Sequence, residues 1–379
     1  MKLHPMRRLA AQINDWILES RDGLLSLVDV DRAPMDLRLV GRVLTHAALV
    51  GLAAGLMGAG FFAALEYGQW FFLEVLAGYR PLRAHGEHLI AGGGGELRLW
   101  LLILLPALGG LGCGLLSRYA PEIRSGGGNE AIAAFHQQDG RIRKRVLWLR
   151  PLASFFTLST GGAGGREGPT MHIGGAIGSW VGGLLRVGPR ERRILLVAGI
   201  AAGISAVFRT PLGAALLAVE ILYRDGFESD ALIPSVFASV ISYSVVISIF
   251  GESTLFAVGQ GFPFIPRHLP YYAALAIVIA LGSVAFLQAL GAMRNFSSRF
   301  PGPGWLRPAW GGLVLGLMVS AVLYLTGRAG VDHGLGLLGG GYGAVQAAIS
   351  GASWLGEGWR AVVILALMAV GKIIAASIT

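Results

Sequence analysis

The sequence predicts an all-α, polytopic membrane protein with inverted-topology repeats and broken, re-entrant half-helices. Three observations predict it. Of 379 residues, 54% are hydrophobic and 14% charged, with a mean hydropathy of +0.62; a soluble chain carries roughly 25% charged residues. Apolar runs at Leu44–Leu65, Leu99–Leu116, Tyr272–Leu290 and Ala361–Ser377 approach or reach the roughly 20 residues that cross a bilayer as a helix. Finally, two short segments, "SGGGNEAIAAFH" and "GGGYGAVQAAISG", each open on a glycine run in opposite halves of the chain. Such paired, interrupted segments point to a binding site at a repeat interface.

The elements follow in order. Residues 1–42 carry alternating basic and acidic residues without a signal-type apolar core. They are expected to form a cytoplasmic amphipathic helix. A first transmembrane repeat is expected over 43–250, a connecting loop rich in Gly, Pro and Phe over 251–270, and a second repeat over 271–379, incomplete at its C-terminus. The first span, Val43 to Ala77, is long enough to require tilt. Further spans are expected near Leu99–Ser117, Leu195–Phe208, Pro211–Leu222, Ala231–Ile249, Tyr272–Ala292, Trp310–Leu325 and Ala361–Ser377. Arg141, Arg143, Lys144 and Arg145, and then "RVGPRERR", mark cytoplasmic loops. Between them Val146–Leu158 and Pro169–Leu185 flank "STGGAGGREGPTMHIGG" and are expected to dip into the membrane and return. Broken backbone at that depth requires surrounding protein or a water-filled cavity.

The chain carries 31 Lys and Arg against 22 Asp and Glu. No aromatic-interleaved basic module accompanies that excess, so a nucleic-acid partner is not expected. Cytoplasmic loops account for it. The single Cys113 allows neither an internal disulfide nor a cysteine metal site. No cofactor is expected. Glycine, at 58 residues, serves close helix packing for the most part; packing alone does not explain Gly126–Gly128 or Gly161–Gly165.

The chemistry lies in those breaks. A helix N-terminus leaves amides unpaired and carries about half a positive charge. Glycine lets an anion approach them, and Pro169 suits a first turn. "GREGP" and "SGGGN" therefore read as two helix starts aimed at a small anion, held without fixed lysines and so free to leave. Glu167 is an intramembrane carboxylate, by default a functional candidate. It is either a tethered competitor that leaves the anion site on protonation or one half of a structural pair with Arg166. A lone His172 is expected to pack or hydrogen-bond rather than ligate a metal.

"GGAGGREGPTMHIGGAIGS", "AAGISAVFRTPLGAALLAVEILYRD" and "GKIIAASIT" together resemble the CLC family of voltage-gated-type chloride channels and chloride/proton antiporters. The resemblance covers nearly the whole chain. It implies chloride as transported ligand, a homodimer in membrane lipid, a multi-pass protein of a prokaryotic inner (plasma) membrane with a cytoplasmic N-terminus, and Glu167 as the gating glutamate. Ser125, Gly126, Gly127, Gly128, Arg166, Glu167 and Gly168 are then the anion-binding positions. The family's usual anion-site serine falls at Gly126, so selection by a hydroxyl is lost or passes to Ser125. The internal proton-transfer glutamate of antiporters falls at Ile221, which cannot titrate. Glu220, beside it, is a possible proton-path residue, read first as a helix-end charge. A channel is therefore expected, with a chloride/proton antiporter as the alternative. The family's G-x-F-x-P half-helix and a later tyrosine lie past Thr379, which leaves an incomplete, non-conducting fragment as a second alternative. An intramembrane protease reading of "GISA", Gly203–Ala206, lacks a histidine on a later span, because His268 and His333 sit in loop-like surroundings.

Overall fold

The computed structural model describes residues 35–87, 89–90, 95–223, 226, 228–259, 265–299, 302–327 and 334–379, with side chains from residue 41. The amphipathic helix expected in 1–42 therefore lies outside the described residues except for 35–42, and so does His333. Met1–His46 and Ala47–Thr379 are separate compact units, and the site belongs to the second.

The described residues are helical and contain no strand. Helix α1 (Met35–Gln69) continues through a wide-turned stretch, Trp70–Leu76. Then come α2 (Leu99–Tyr119), α3 (Gly128–Gln137), α4 (Val146–Ser159), α5 (Glu167–Leu184), α6 (Pro189–Phe208), α7 (Pro211–Glu220), α8 (Ser229–Phe250), α9 (Leu269–Ser298), α10 (Arg307–Gly327), α11 (Tyr342–Ser350) and α12 (Trp359–Ile378). Among the described residues, six segments are long and apolar enough to cross a membrane: Gly41–Leu76, Leu99–Tyr119, Ser229–Phe250, Pro266–Ser298, Gly304–Gly327 and Trp359–Ile378.

Two expected spans need correction. At 1.5 Å per residue α7 covers about 15 Å, half a hydrocarbon core. It ends at Glu220 rather than Leu222 and cannot cross alone. Helix α6 begins at Pro189, not Leu195, so its first turn is the charged stretch Arg190–Arg193. The α4–α5 break is observed as expected: α4 is only 14 residues, about 21 Å, and the chain turns at Thr160–Gly165 before α5 starts.

Small residues set the packing. A Cβ on Gly174 or Gly178 of α5 would run into the backbone of Gly199 or Leu195 in α6, and a Cβ on Gly199 or Gly203 would run into that of Gly174 or Thr170. Both helices thus present glycines four residues apart, which lets backbones touch. The same device brings α2 to α10 (Gly110 on Pro308, Gly312 on Pro106) and α1 to α8 (Gly51 on Ala238). Hydroxyls of fully buried serines cross-link the contacts: Ser205 donates to Ser239 O at 2.8 Å, Ser242 to Ala202 O at 2.7 Å, and Ser239 to Pro211 O at 2.9 Å. Residues 195–207 of α6 are consequently buried without interruption.

Helices α3 and α11 start alike. Each is preceded by a glycine in the left-handed region, Gly127 at φ 100° and Gly341 at φ 84°, a conformation other residues adopt at a cost. That is the structural content of the sequence echo between the two halves.

Candidate functional site

The starts of α3 and α5 meet backbone to backbone. A Cβ on Gly168 would strike the Gly126 carbonyl, and one on Gly127 would strike the Gly168 carbonyl and the His172 side chain. Only glycine fits at either position. The positive ends of two helices are thereby concentrated in one place, as anion binding at helix N-termini requires.

Arg150, a buried arginine of α4, holds the approach to α3. Its guanidinium donates to Ile123 O at 2.9 Å, to Ser125 O at 2.6 Å and to Gly126 O. Glu130, in the first turn of α3, accepts from the Gly127 amide at 3.1 Å and from the Ser125 hydroxyl. Of the two expectations for anion selection, loss of the hydroxyl or its transfer to Ser125, the second meets a Ser125 hydroxyl already engaged by Glu130. Gly126 has nothing within 4 Å of where a Cβ would stand, so there is space at the position where relatives in the resembled family carry serine. His172 is 1% exposed and its Nδ1 has no hydrogen-bond partner.

The adjacent charges at the start of α5 go to different partners. The structural pair between Arg166 and Glu167 is not formed. Arg166, 6% exposed, forms an ion pair with Glu87 and lies over the rings of Tyr342 (4.7 Å) and Phe62 (5.4 Å). Glu167 Oε1 accepts a hydrogen bond from Tyr342 Oη at 2.7 Å. The physical reason is helical geometry: consecutive residues diverge by about 100° and do not face one another. Glu167 is exposed and lines a cavity of about 840 Å³ together with His85, Arg209, Thr210, Tyr243 and Glu252.

Glu220 is exposed at the end of α7 and does not line that cavity. Ile221 packs against the apolar cluster that includes Leu222, Val219 and Ala231. Neither arrangement brings a carboxylate towards Glu167.

Four parts of this site escaped sequence reasoning: Glu87, Tyr342, Arg150, and the group Glu66, Glu74 and Arg83. Arg83 pairs with Glu74 and lies 4.0 Å from Glu66; both carboxylates are almost fully buried. A signal existed for three of these residues. Arg150, Glu66 and Glu74 are charges inside apolar runs, each by itself a functional candidate. Tyr342 follows a glycine triplet, which marks its helix start but not its partner.

The chain is 29% identical over 343 residues to the H(+)/Cl(-) exchange transporter ClcA of Yersinia pestis, a match covering 89% of this chain and 66% of that protein. A chloride/fluoride channel protein of Pseudomonas syringae pv. tomato is 27% identical over 284 residues, covering 75% of this chain and 57% of the relative. The chain thus spans about two thirds or less of the length of these relatives. Among solved structures, that of a slow cyanobacterial Cl-/H+ antiporter matches with a TM-score of 0.69 at 23% identity, over 89% of this chain and 73% of the other, a likeness of fold. The model of the voltage gated chloride channel family matches residues 108–379, the greater part of the sequence, and the chain belongs to that family.

Proposed function

We propose that this protein carries chloride or a related small anion across a membrane in exchange for protons, with Glu167 as its gate. One observation carries the anion reading: two glycine-started helix N-termini touch at Gly126–Gly128 and Gly168, with a carboxylate beside them at the mouth of a cavity. The guanidiniums nearby are already engaged, Arg150 by backbone carbonyls and Arg166 by Glu87, and positive helix ends hold an anion loosely enough for passage. Glu167, when ionised, competes for the same amides, and protonation removes the competitor.

Exchange is favoured over a channel by the relatives, among which exchange transporters recur. Ile221 favours the channel expected from sequence, as the second reading. For exchange to work without a carboxylate there, protons must reach Glu167 by water or by another acid. In this proposal the protein works as a homodimer in a plasma membrane, N-terminus cytoplasmic, with repeats over 43–250 and 271–379 joined by 251–270, of which 260–264 lie outside the described residues.

The test uses the full-length protein in liposomes holding chloride and a pH-sensitive dye. A chloride gradient that drives protons against their own gradient is the expected result. Anion flux without proton movement establishes the channel, and no anion flux ends both readings. Glu167→Gln is expected to give faster flux that no longer depends on pH; an unchanged rate and pH profile would remove Glu167 from the gate.

A further inference from the structure

The gating carboxylate does not sit on the amides it competes for. The Gly127 amide is taken by Glu130, and no hydrogen bond joins the Glu167 carboxylate to the amides of Gly126, Gly128 or Gly168 among the described residues. It reaches instead to a side chain 175 positions away, the Tyr342 hydroxyl at the start of α11. Tyr342 is itself fixed. Its ring lies against the Arg166 guanidinium at 4.7 Å and edge-on to Phe208 at 6.1 Å, and Arg166 is anchored by Glu87.

We infer that the Tyr342 hydroxyl is a docking point that draws ionised Glu167 off the anion site for part of the time, so that some flux passes without protonation of the gate. This rests on the reading of Glu167 as a gate and deepens it. Tyr342 is a positioning residue: it touches the gate, not the anion. It belongs to the second half of the chain and Glu167 to the first, so the contact makes the state of the gate depend on how α11 sits against α5. A phenol donating to a carboxylate is a charge-assisted bond, short and stronger than a neutral one. Other charged and titratable groups surround the contact: Arg166, at the start of α5, is paired with Glu87 of the turn after α1, and His85 in that turn, Arg209 between α6 and α7, Tyr243 on α8 and Glu252 beyond it line the cavity with Glu167. Arg209 is engaged with the Ser253 carbonyl at 3.1 Å. None of these hydrogen-bonds the Glu167 carboxylate, so removing the phenol oxygen alone isolates the docking contact.

The experiment compares wild type, Tyr342→Phe, Glu167→Gln and the double variant as full chains in liposomes, with chloride flux read from pH 4.5 to 7.5. Phenylalanine keeps the ring on Arg166 and removes only the donor. Flux of Tyr342→Phe is expected to fall about tenfold at pH 7.5, the order of effect of one hydrogen bond to a charged group. Ionised Glu167 then returns to the amides. At pH 4.5 flux is expected within about twofold of wild type, because a protonated gate leaves unaided. In the Glu167→Gln background Tyr342→Phe is expected to change nothing. As a second variant, Glu167→Asp places the carboxylate one methylene short of Oη and is expected to lose flux at pH 7.5 in the same way, with no further loss from Tyr342→Phe. An equal fall at both pH values, or a profile superimposable on wild type, overturns the docking role. A Glu167→Gln protein with wild-type flux and pH profile removes the gate itself, a separate outcome that does not depend on Tyr342.

Discussion

Helices α6 and α9 are both long and largely apolar, and they end in opposite circumstances. Residues 195–207 of α6 are buried without a break. Helix α9 is the more membrane-like by composition, yet none of its residues is buried in the single chain. Hydrophobicity does not explain the difference, since lipid tails are as apolar as leucine and give helices no reason to associate. Glycine placement does. Gly199 and Gly203 of α6 stand four apart and meet Gly174 of α5 backbone to backbone, whereas Gly282 and Gly291 of α9 have nothing within 4 Å. In this fold Gly199 and Gly203 are packing residues because the backbone of a second element closes on them. The proposed anion site extends the same rule: Gly126, Gly127 and Gly168 let two helix starts touch as Gly174 and Gly199 let two helix bodies touch.

The largest expected effect breaks the packed side of that comparison. Gly199→Val places branched carbons against the Gly174 carbonyl and the Gly178 amide. Overfilling a core costs about 1–3 kcal/mol where neighbours can shift. Here the neighbours are backbone atoms of a second helix and cannot, so the cost is expected to exceed that range and to abolish a monodisperse species in size-exclusion chromatography. A well-folded Gly199→Val protein would mean that α5 and α6 separate freely, and glycine would lose its role as the determinant.

How much of this was legible in the sequence follows from the same distinction. The helix starts were legible because their causes are local: Pro169 and Pro211 in first turns, and the glycine runs before α3 and α11. The break between α4 and α5 was legible for the same reason. Partners were not. Arg166 beside Glu167 suggested a pair, and the two side chains diverge to Glu87 and Tyr342, each brought in by tertiary packing that no local pattern records. Nor could spacing show that Ser125 would be taken by Glu130, since the contact depends on how the left-handed Gly127 turns the chain. The length of α7 was misjudged because Ile221 and Leu222 continue its apolar pattern past the point where the helix stops.

A smaller effect sharpens the exposed side. Gly282→Ala on α9 meets empty space and removes a residue that costs a helix interior about 1 kcal/mol relative to alanine. The melting temperature in detergent is expected to rise by a few degrees. A fall would mean that α9 is packed against something in the purified particle, which a parallel measurement of its mass would then identify as a second copy or exclude.

The smallest effect concerns the aqueous rim of the packed region, where ion pairs rather than glycines join the elements. Glu122, in the turn after α2, accepts a two-pronged contact from Arg145 at the start of α4, with Nη2 2.8 Å from Oε2, and Arg143 lies at 3.9 Å. Partial burial pushes the Glu122 carboxyl up, but the hydrogen bond and charge of Arg145 outweigh it and hold the carboxyl below the usual carboxylate range. With the folded value depressed, the pair's contribution is present above the ordinary carboxylate value, about 4.3, and is lost as pH falls through the lower folded value. Glu122→Gln is therefore expected to lower the melting temperature slightly at pH 7, by about 1 °C, because the Arg145 side chain lies open to water and pairs at a solvated rim contribute little. The two melting curves are expected to converge once pH falls below the lowered folded value of the Glu122 carboxyl, where the wild-type group is protonated. Loss of the folded protein at pH 7 on this substitution would place the order of the first half in its charged rim. A shift of the expected size leaves that order in the glycine contacts between helices, on which the proposed anion site also depends.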